Sequence, residues 1–308
     1  MLSRLQCRLS FFLQQWFSHA MDRRPFLVDF DPVALDLGVV QVHWYGISYL
    51  VAFALCWWLL TRRARLPHWP IQPTQVGDLA FWIVVGVVLG GRLGYVLFYG
   101  LDRWFADPLF PFKLQQGGMS FHGGLLGVVV VFWFQACQLG TTFLRLGDFV
   151  AQVAPLGLAC GRIGNFIGGE LWGRHSDVPW AMVFPRSLRP EDLGGRSLDQ
   201  AWTSGALDHL ARHPSQLYQA ALEGFALFVL VWWFARKSRP AGAVGGLFLA
   251  GYAVFRMSAE LFREPDAHLG FIAFEWLTMG QLLSLPMLAA GIGLMLWAYR
   301  NDRGEHLR

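Results

Sequence analysis

Residues 79–99 read LAFWIVVGVVLGGRLGYVLFY, and this run marks the chain as a membrane protein. It is 21 residues long and carries one charged side chain, Arg92. A helix needs about 20 mostly apolar residues to cross the hydrocarbon of a bilayer. Working outward, six more runs have this character: 45–60, 120–139, 147–166, 218–234, 243–262 and 279–299. The run 147–166 is the most interrupted, by Gln152, Pro155 and Arg162. Backbone polar groups in lipid must pair internally, so these runs read as helices, or as helices broken against protein. The composition agrees. Of 308 residues 55% are hydrophobic and 15% charged, with 15 Trp and 26 Phe. A soluble domain carries about 25% charged residues. Disordered, collagen-like, coiled-coil and secreted disulfide-scaffold classes are excluded. The fold class expected is an all-α polytopic membrane protein with about seven transmembrane helices.

Lysine and arginine in the short loops orient the spans. Arg62, Arg63 and Arg65 follow the first, Arg145 precedes the fourth, Arg236, Lys237 and Arg239 follow the fifth, and Arg300, Arg303 and Arg308 follow the seventh. With seven spans these loops share one side, which puts the amino terminus outside and the carboxyl terminus in the cytoplasm. Arg23 and Arg24 near the amino terminus weigh against this. The net charge of +4 is thus explained by membrane topology, and no compact basic face suggests nucleic acid.

Residues 1–25 read as an N-terminal extension outside the fold. Arg4 and Arg8 precede an apolar stretch at 9–13 too short for a signal peptide, and Met21 is an alternative start. The segment 172–213 mixes charges of both signs with Pro and Gly punctuation, and reads as a small domain outside the membrane. The expected organisation is four spans in 26–171, a head segment in 172–213, three spans in 214–300 and a tail in 301–308. Cys7, Cys56, Cys137 and Cys160 show neither CxxC nor metal spacing, and three lie in apolar runs as expected buried thiols.

Ionisable residues within spans are expensive and point to function. Arg92 lies in one span, Arg162 in another with Asn165 a turn away, and Arg256 and Glu260 in a third. Tyr252, Arg256 and Glu260 recur every four residues and share a helical face. This ladder reads equally as a structural ion pair or as the wall of a polar cavity. His122 stands between the Gly117-Gly118 and Gly123-Gly124 pairs, as a base, a phosphate donor or a cap. His213-Pro214-Ser215-Gln216 reads as a helix start with Pro at its first position. Several arginines around a membrane cavity suit an anion, and the planar guanidinium suits phosphate. In a membrane, the abundant phosphate is a phospholipid headgroup.

The run Gly161-Arg162-Ile163-Gly164-Asn165-Phe166-Ile167-Gly168-Gly169-Glu170 resembles the signature of the bacterial phosphatidylglycerol–prolipoprotein diacylglyceryl transferases. So do His43-Trp44-Tyr45-Gly46, Gly90-Gly91-Arg92-Leu93-Gly94-Tyr95, Gly118-Met119-Ser120-Phe121-His122-Gly123-Gly124, Glu170-Leu171-Trp172-Gly173-Arg174, His213-Pro214-Ser215-Gln216-Leu217-Tyr218 and the Tyr252, Arg256, Glu260 face. The resemblance covers about residues 26–300, in order. Two departures stand out: Gly168 replaces the usual Asn, removing one amide, and Gln219 replaces the usual Glu.

The resemblance implies a seven-helix enzyme of the bacterial inner membrane with a periplasmic head, a periplasmic amino terminus and a cytoplasmic carboxyl terminus. It implies transfer of the diacylglyceryl group of phosphatidylglycerol to the lipobox cysteine of a preprolipoprotein signal peptide, giving a thioether and glycerol 1-phosphate. Partners would be those two substrates and the surrounding membrane lipids, with no metal or cofactor. On this reading Arg162 and Arg256 hold the phosphate and Glu260 orients Arg256. Tyr45, Asn165, Glu170 and Gly173 stand near the site, Tyr252 positions the lipid, and His122 is the candidate base or a phosphate donor. Arg92 reads as structural or interfacial. The rival readings are a transporter or flippase of an anionic lipid, which inverted repeats would support, and a non-catalytic lipid-binding scaffold. An intramembrane serine protease fits worse, since no serine elbow is present.

Overall fold

The structure, a computed structural model, describes residues 24–38, 41–265, 270, 272 and 277–305. Most of the expected extension, Cys7 and the last three residues of the tail lie outside these. The chain divides into two compact units. One comprises the described parts of Met1–Phe53, Pro155–Leu230 and Leu249–Ile292; the other comprises Ala54–Ala154, Val231–Phe248 and the described part of Gly293–Arg308.

Helices dominate. They are α1 (Trp44–Arg63), α2 (Val76–Tyr99), α3 (Phe121–Gln138), α4 (Phe143–Ala151), α5 (Ala154–Ile167), α6 (Ser215–Phe234), α7 (Ala243–Glu260) and α8 (Met279–Glu305), with short helices at Leu101–Ala106 and Leu198–Thr203. Five are long and apolar enough to cross a membrane: α1, α2, α3, α6 and α8. Counting the bent pair α4–α5 as one span makes six. The protein is therefore a multi-pass helical membrane protein. The run 243–262 does form an 18-residue helix, but Arg256 and Glu260 lower its apolarity below that of the others. The interruptions read at Gln152 and Pro155 take effect as a 46° bend between α4 and α5. The last helix continues to Glu305, so the expected tail begins inside it.

The apolar residues of these helices lie largely on their surfaces. Leu50 is 69% exposed and Val130 64%. A helix apolar all round is covered by lipid or by protein. Cys137, expected to be buried, is on this exposed surface.

In the second unit, α2 and α3 meet through glycine. A Cβ on Gly94 would lie 2.7 Å from the Gly123 Cα, and one on Gly90 2.9 Å from the Gly127 Cα. Small residues four apart let membrane helices approach to backbone contact. Arg92, 3% exposed, is absorbed by the neighbouring loop. Its Nε donates to Pro111 O at 3.0 Å, Nη1 to Gly118 O at 3.1 Å and to Gly117 O, and Nη2 to Phe110 O at 2.6 Å and Lys113 O at 3.0 Å. Asp148, on α4, accepts from the Gly242 and Gly245 N–H groups at 2.8 and 2.7 Å, capping the start of α7.

A minor β component departs from the all-α expectation. β1 (Phe26–Leu27) pairs in parallel with β4 (Met182–Val183), and β2 (Val33–Asp36) pairs antiparallel with β3 (Gln41–His43) through an irregular register. In the first unit, segment 172–213 has a core of its own. Ala181, Val183, Ala201, Trp202, Leu207 and Ala211 bury against Leu27. Trp202 Nε1 donates to Pro25 O at 3.0 Å, and Arg24 to Thr203 O.

Candidate functional site

Within the first unit, α5, α6 and α7 bring ionisable side chains together. Arg256 Nη2 lies 2.9 Å from Glu260 Oε2, so two rungs of the expected ladder pair across one turn. Arg256 Nη1 donates to Gln219 Oε1 at 3.0 Å and to Glu223 Oε1 at 3.4 Å. The other oxygen of Glu223 lies 3.7 Å from Arg162 Nη2, and Arg162 also hydrogen-bonds Tyr252. Glu260 accepts from Thr278 Oγ1 at 3.0 Å and pairs with Arg263 at 3.5 Å. Gln219 and Glu223 are fully buried, and Glu260 is 2% exposed. A buried carboxylate is tolerable only when paired, and each here faces guanidinium groups.

Residues Ala220–Ala226 of α6 wind with the wider i→i+5 pattern of a π-helix. Such insertions in α-helices occur often at functional sites. Glu223 is not among the residues read from the sequence above, although it stands in the apolar run 218–234. The rule that exposed Arg162 and Arg256, a charge inside a span, would have found it.

A second feature lies at the end of α5. A Cβ on Gly164 would come within 2.8 Å of the Tyr45 ring. Tyr45 packs edge-on to Tyr49 at 4.9 Å, with the two hydroxyls 3.0 Å apart. The Asn165 carbonyl accepts from the Glu170 N–H at 2.9 Å, closing the last turn. Tyr45, Gly164, Gly168, Glu170, His43 and Arg186 line part of a cavity of about 410 Å³. Arg186 Nη1 pairs with Glu170 Oε1 at 2.9 Å. Gly168 contributes backbone and no side chain to the wall of this cavity. A larger, open pocket of about 610 Å³ at His68, Trp69 and Arg145 contains none of the candidate site residues.

The strand-like segment after α5 is pinned from α6. Leu171 has φ +58°, a left-handed conformation that costs a residue with a Cβ. Ser215 Oγ donates to Leu171 O at 2.9 Å and Gln216 Nε2 to Glu170 O at 2.6 Å. The His213-Pro214-Ser215-Gln216 run is thus a helix start, with Pro214 one position ahead of the first helical residue, and also a clamp. The His213 ring meets the Tyr218 hydroxyl at 3.1 Å, and burial pushes its imidazole below the usual range. Gly173 fits between two chains: its N–H donates to His213 O at 2.9 Å, and a Cβ would lie 2.6 Å from that same oxygen.

Arg162, Arg256, Glu260 and Tyr252 therefore form one cluster, and Tyr45 and Glu170 share one cavity. Asn165 and Gly173 contribute backbone hydrogen bonds. His122 lies in the second unit, exposed, as the second residue of α3, edge-on to Phe121 at 5.7 Å.

Residues 32–297 match the family described as prolipoprotein diacylglyceryl transferase. A relative from Pseudomonas paraeruginosa, named phosphatidylglycerol–prolipoprotein diacylglyceryl transferase, is 51% identical over 277 residues, covering 89% of this chain and 96% of the relative. A protein of the same name from Chromohalobacter salexigens is 53% identical over 274 residues, covering 89% and 94%. One from Coxiella burnetii is 51% identical over 273 residues, covering 88% and 96%. The chain belongs to the prolipoprotein diacylglyceryl transferase family.

Proposed function

We propose that this chain is the transferase that moves the diacylglyceryl group of phosphatidylglycerol to prolipoproteins. One observation carries the reading: about half of the residues are identical to relatives of that name across nearly the whole chain. The buried arginine cluster supports it. Arg92 commits its guanidinium to five backbone carbonyls. Arg162 instead touches one carboxylate at 3.7 Å and Tyr252, which leaves donors for an anion.

In this reading the acceptor is the thiol of a lipobox cysteine in the signal peptide. The thiolate is the nucleophile. Its sulfur attacks the glyceryl carbon that carries the phosphate; the C–S bond forms and the C–O bond breaks. Glycerol 1-phosphate leaves with the electron pair on oxygen, and the thiol proton passes to a base, for which His122 is the candidate. Arg162 and Arg256 stabilise the phosphate charge, as preorganised donors do in a dry site. Glu260 orients Arg256, and Tyr252 positions the lipid. Tyr45 and Glu170 line the neighbouring cavity, and Asn165 and Gly173 stand close to it in sequence. Alignment of the two reactants supplies the rest of the rate.

The membrane is the bacterial inner membrane. Seven crossings, counting α7, put the amino terminus and segment 172–213 in the periplasm and the carboxyl terminus in the cytoplasm, as the loop arginines require. The domain limits remain 26–171, 172–213 and 214–300.

The test uses purified protein, phosphatidylglycerol labelled in its headgroup glycerol, and a lipobox peptide. Release of labelled glycerol phosphate that needs the peptide cysteine, and is absent with a Ser peptide, is the expected result. Binding of the lipid without release would overturn the reading.

A further inference from the structure

Gln219 lies in direct contact with the cluster, at a place where a carboxylate of the same shape would fit. Gln219 is fully buried, and its Oε1 accepts from Arg256 Nη1 at 3.0 Å. Arg256 Nη1 is a donor, so the oxygen of the amide must face it. One turn on, Glu223 touches the same nitrogen at 3.4 Å and reaches Arg162 at 3.7 Å. Arg256 therefore already faces two carboxylates, Glu223 and Glu260, each shared with a second arginine. A carboxylate at 219 would be a third, at hydrogen-bond distance, with nearly the same shape as Gln. The chain as it stands is one unit more positive at this point, whatever the rest of the cluster carries.

We propose that Gln219 and Glu223 together set the charge of the Arg162–Arg256 cluster, and that Gln219 is a specificity-determining residue which raises its affinity for a phosphate monoanion. This rests on the proposed function for the identity of the ligand, a phosphatidylglycerol headgroup. The physics is a difference of one charge in a buried place. At about 6 Å and an effective dielectric near 20, a unit charge shifts anion affinity by more than about tenfold. Glu223 is the shared counter-ion. It holds both guanidinium groups by one carboxylate, and the π-helical winding of Ala220–Ala226 includes it in α6. Both residues act through the arginines, as positioning residues.

The test reads lipid binding apart from turnover. Binding of phosphatidylglycerol, and of diacylglycerol as a neutral lipid without the phosphate, is measured on the folded full chain in mixed micelles. KM and kcat for transfer are measured alongside. Gln219→Glu is expected to weaken phosphatidylglycerol binding at least about tenfold, with little change for diacylglycerol, and to recover on acidification as the new carboxyl protonates. Glu223→Gln moves the charge the other way and is expected to tighten phosphatidylglycerol binding even where kcat falls. The double variant Gln219→Glu/Glu223→Gln restores the total charge and is expected to return binding toward the parent. Loss of affinity for both lipids in both single variants would mean packing, and would overturn the proposal. So would a Gln219→Glu protein that binds phosphatidylglycerol as the parent does. Should Gln219→Glu not fold, Glu223→Gln decides alone: unchanged or weaker phosphatidylglycerol binding overturns it. Failure of the transferase reading would appear instead as absent turnover in the parent with these binding shifts intact.

Discussion

Ser215 donates from its hydroxyl to the carbonyl of Leu171 at 2.9 Å, across 44 residues of chain. With Gln216 on Glu170 at 2.6 Å, the first turn of α6 holds a left-handed leucine in place and so fixes where Glu170 emerges from α5. Left-handed backbone costs a non-glycine residue roughly 1–2 kcal/mol, which other contacts must offset.

Removing the clamp tests this. Gln216→Ala is expected to destabilise the protein by about 1 kcal/mol, because the part-buried Glu170 carbonyl loses its donor. Thermal unfolding in detergent reads the effect. An unchanged midpoint would mean that Leu171 is held by other contacts.

Arg92 is buried and Arg162 half-buried, both in apolar helices and with opposite surroundings. Arg162→Gln is expected to lower turnover about 10²–10³-fold with little change in melting, as loss of a charge-stabilising donor does. Arg92→Gln is expected to cost at least about 2 kcal/mol of stability, since several carbonyls lose their partner together. Turnover and melting measured on both variants decide it, and the reverse pattern would exchange their roles.

Asp148 caps α7 through the N–H groups of Gly242 and Gly245. Asp148→Ala is expected to lose about 1–2 kcal/mol. Asp148→Asn is expected to recover part of this at most, because its single amide oxygen can accept from one of the two N–H groups while its NH2 faces the other. Denaturant titration in micelles compares them, and an unchanged Asp148→Ala protein would remove the cap.

His213 gives segment 172–213 a pH dependence. Burial holds its pKa below the ordinary 6.5, so between the two values the unfolded chain binds the extra proton. Its contribution is present above the unfolded pKa and is lost as pH falls through the folded one. Amide protection in segment 172–213, taken as the ratio of intrinsic to observed exchange, is expected to fall from neutral pH to about pH 5, and less so in His213→Asn. Equal protection at both pH values would remove His213 from this role.

The sequence by itself determined that the chain is a helical membrane protein, because hydrocarbon demands length and apolarity and both are local properties. It also determined the family, through motifs in order, and the Arg256–Glu260 pair, since a spacing of four is helical geometry. Which arginine is saturated by backbone carbonyls emerges only from the packing. Arg92 and Arg162 look alike in an apolar run, and what separates them is a loop of carbonyls folding back on one of them. Nor does local pattern show that Ser215 and Gln216 clamp Glu170 and Leu171, that Leu27 joins the core of segment 172–213, or that Glu223 ties Arg162 to Arg256. Those contacts join residues far apart in the chain, and their geometry follows from how the helices bend and pack, which no short stretch of sequence contains.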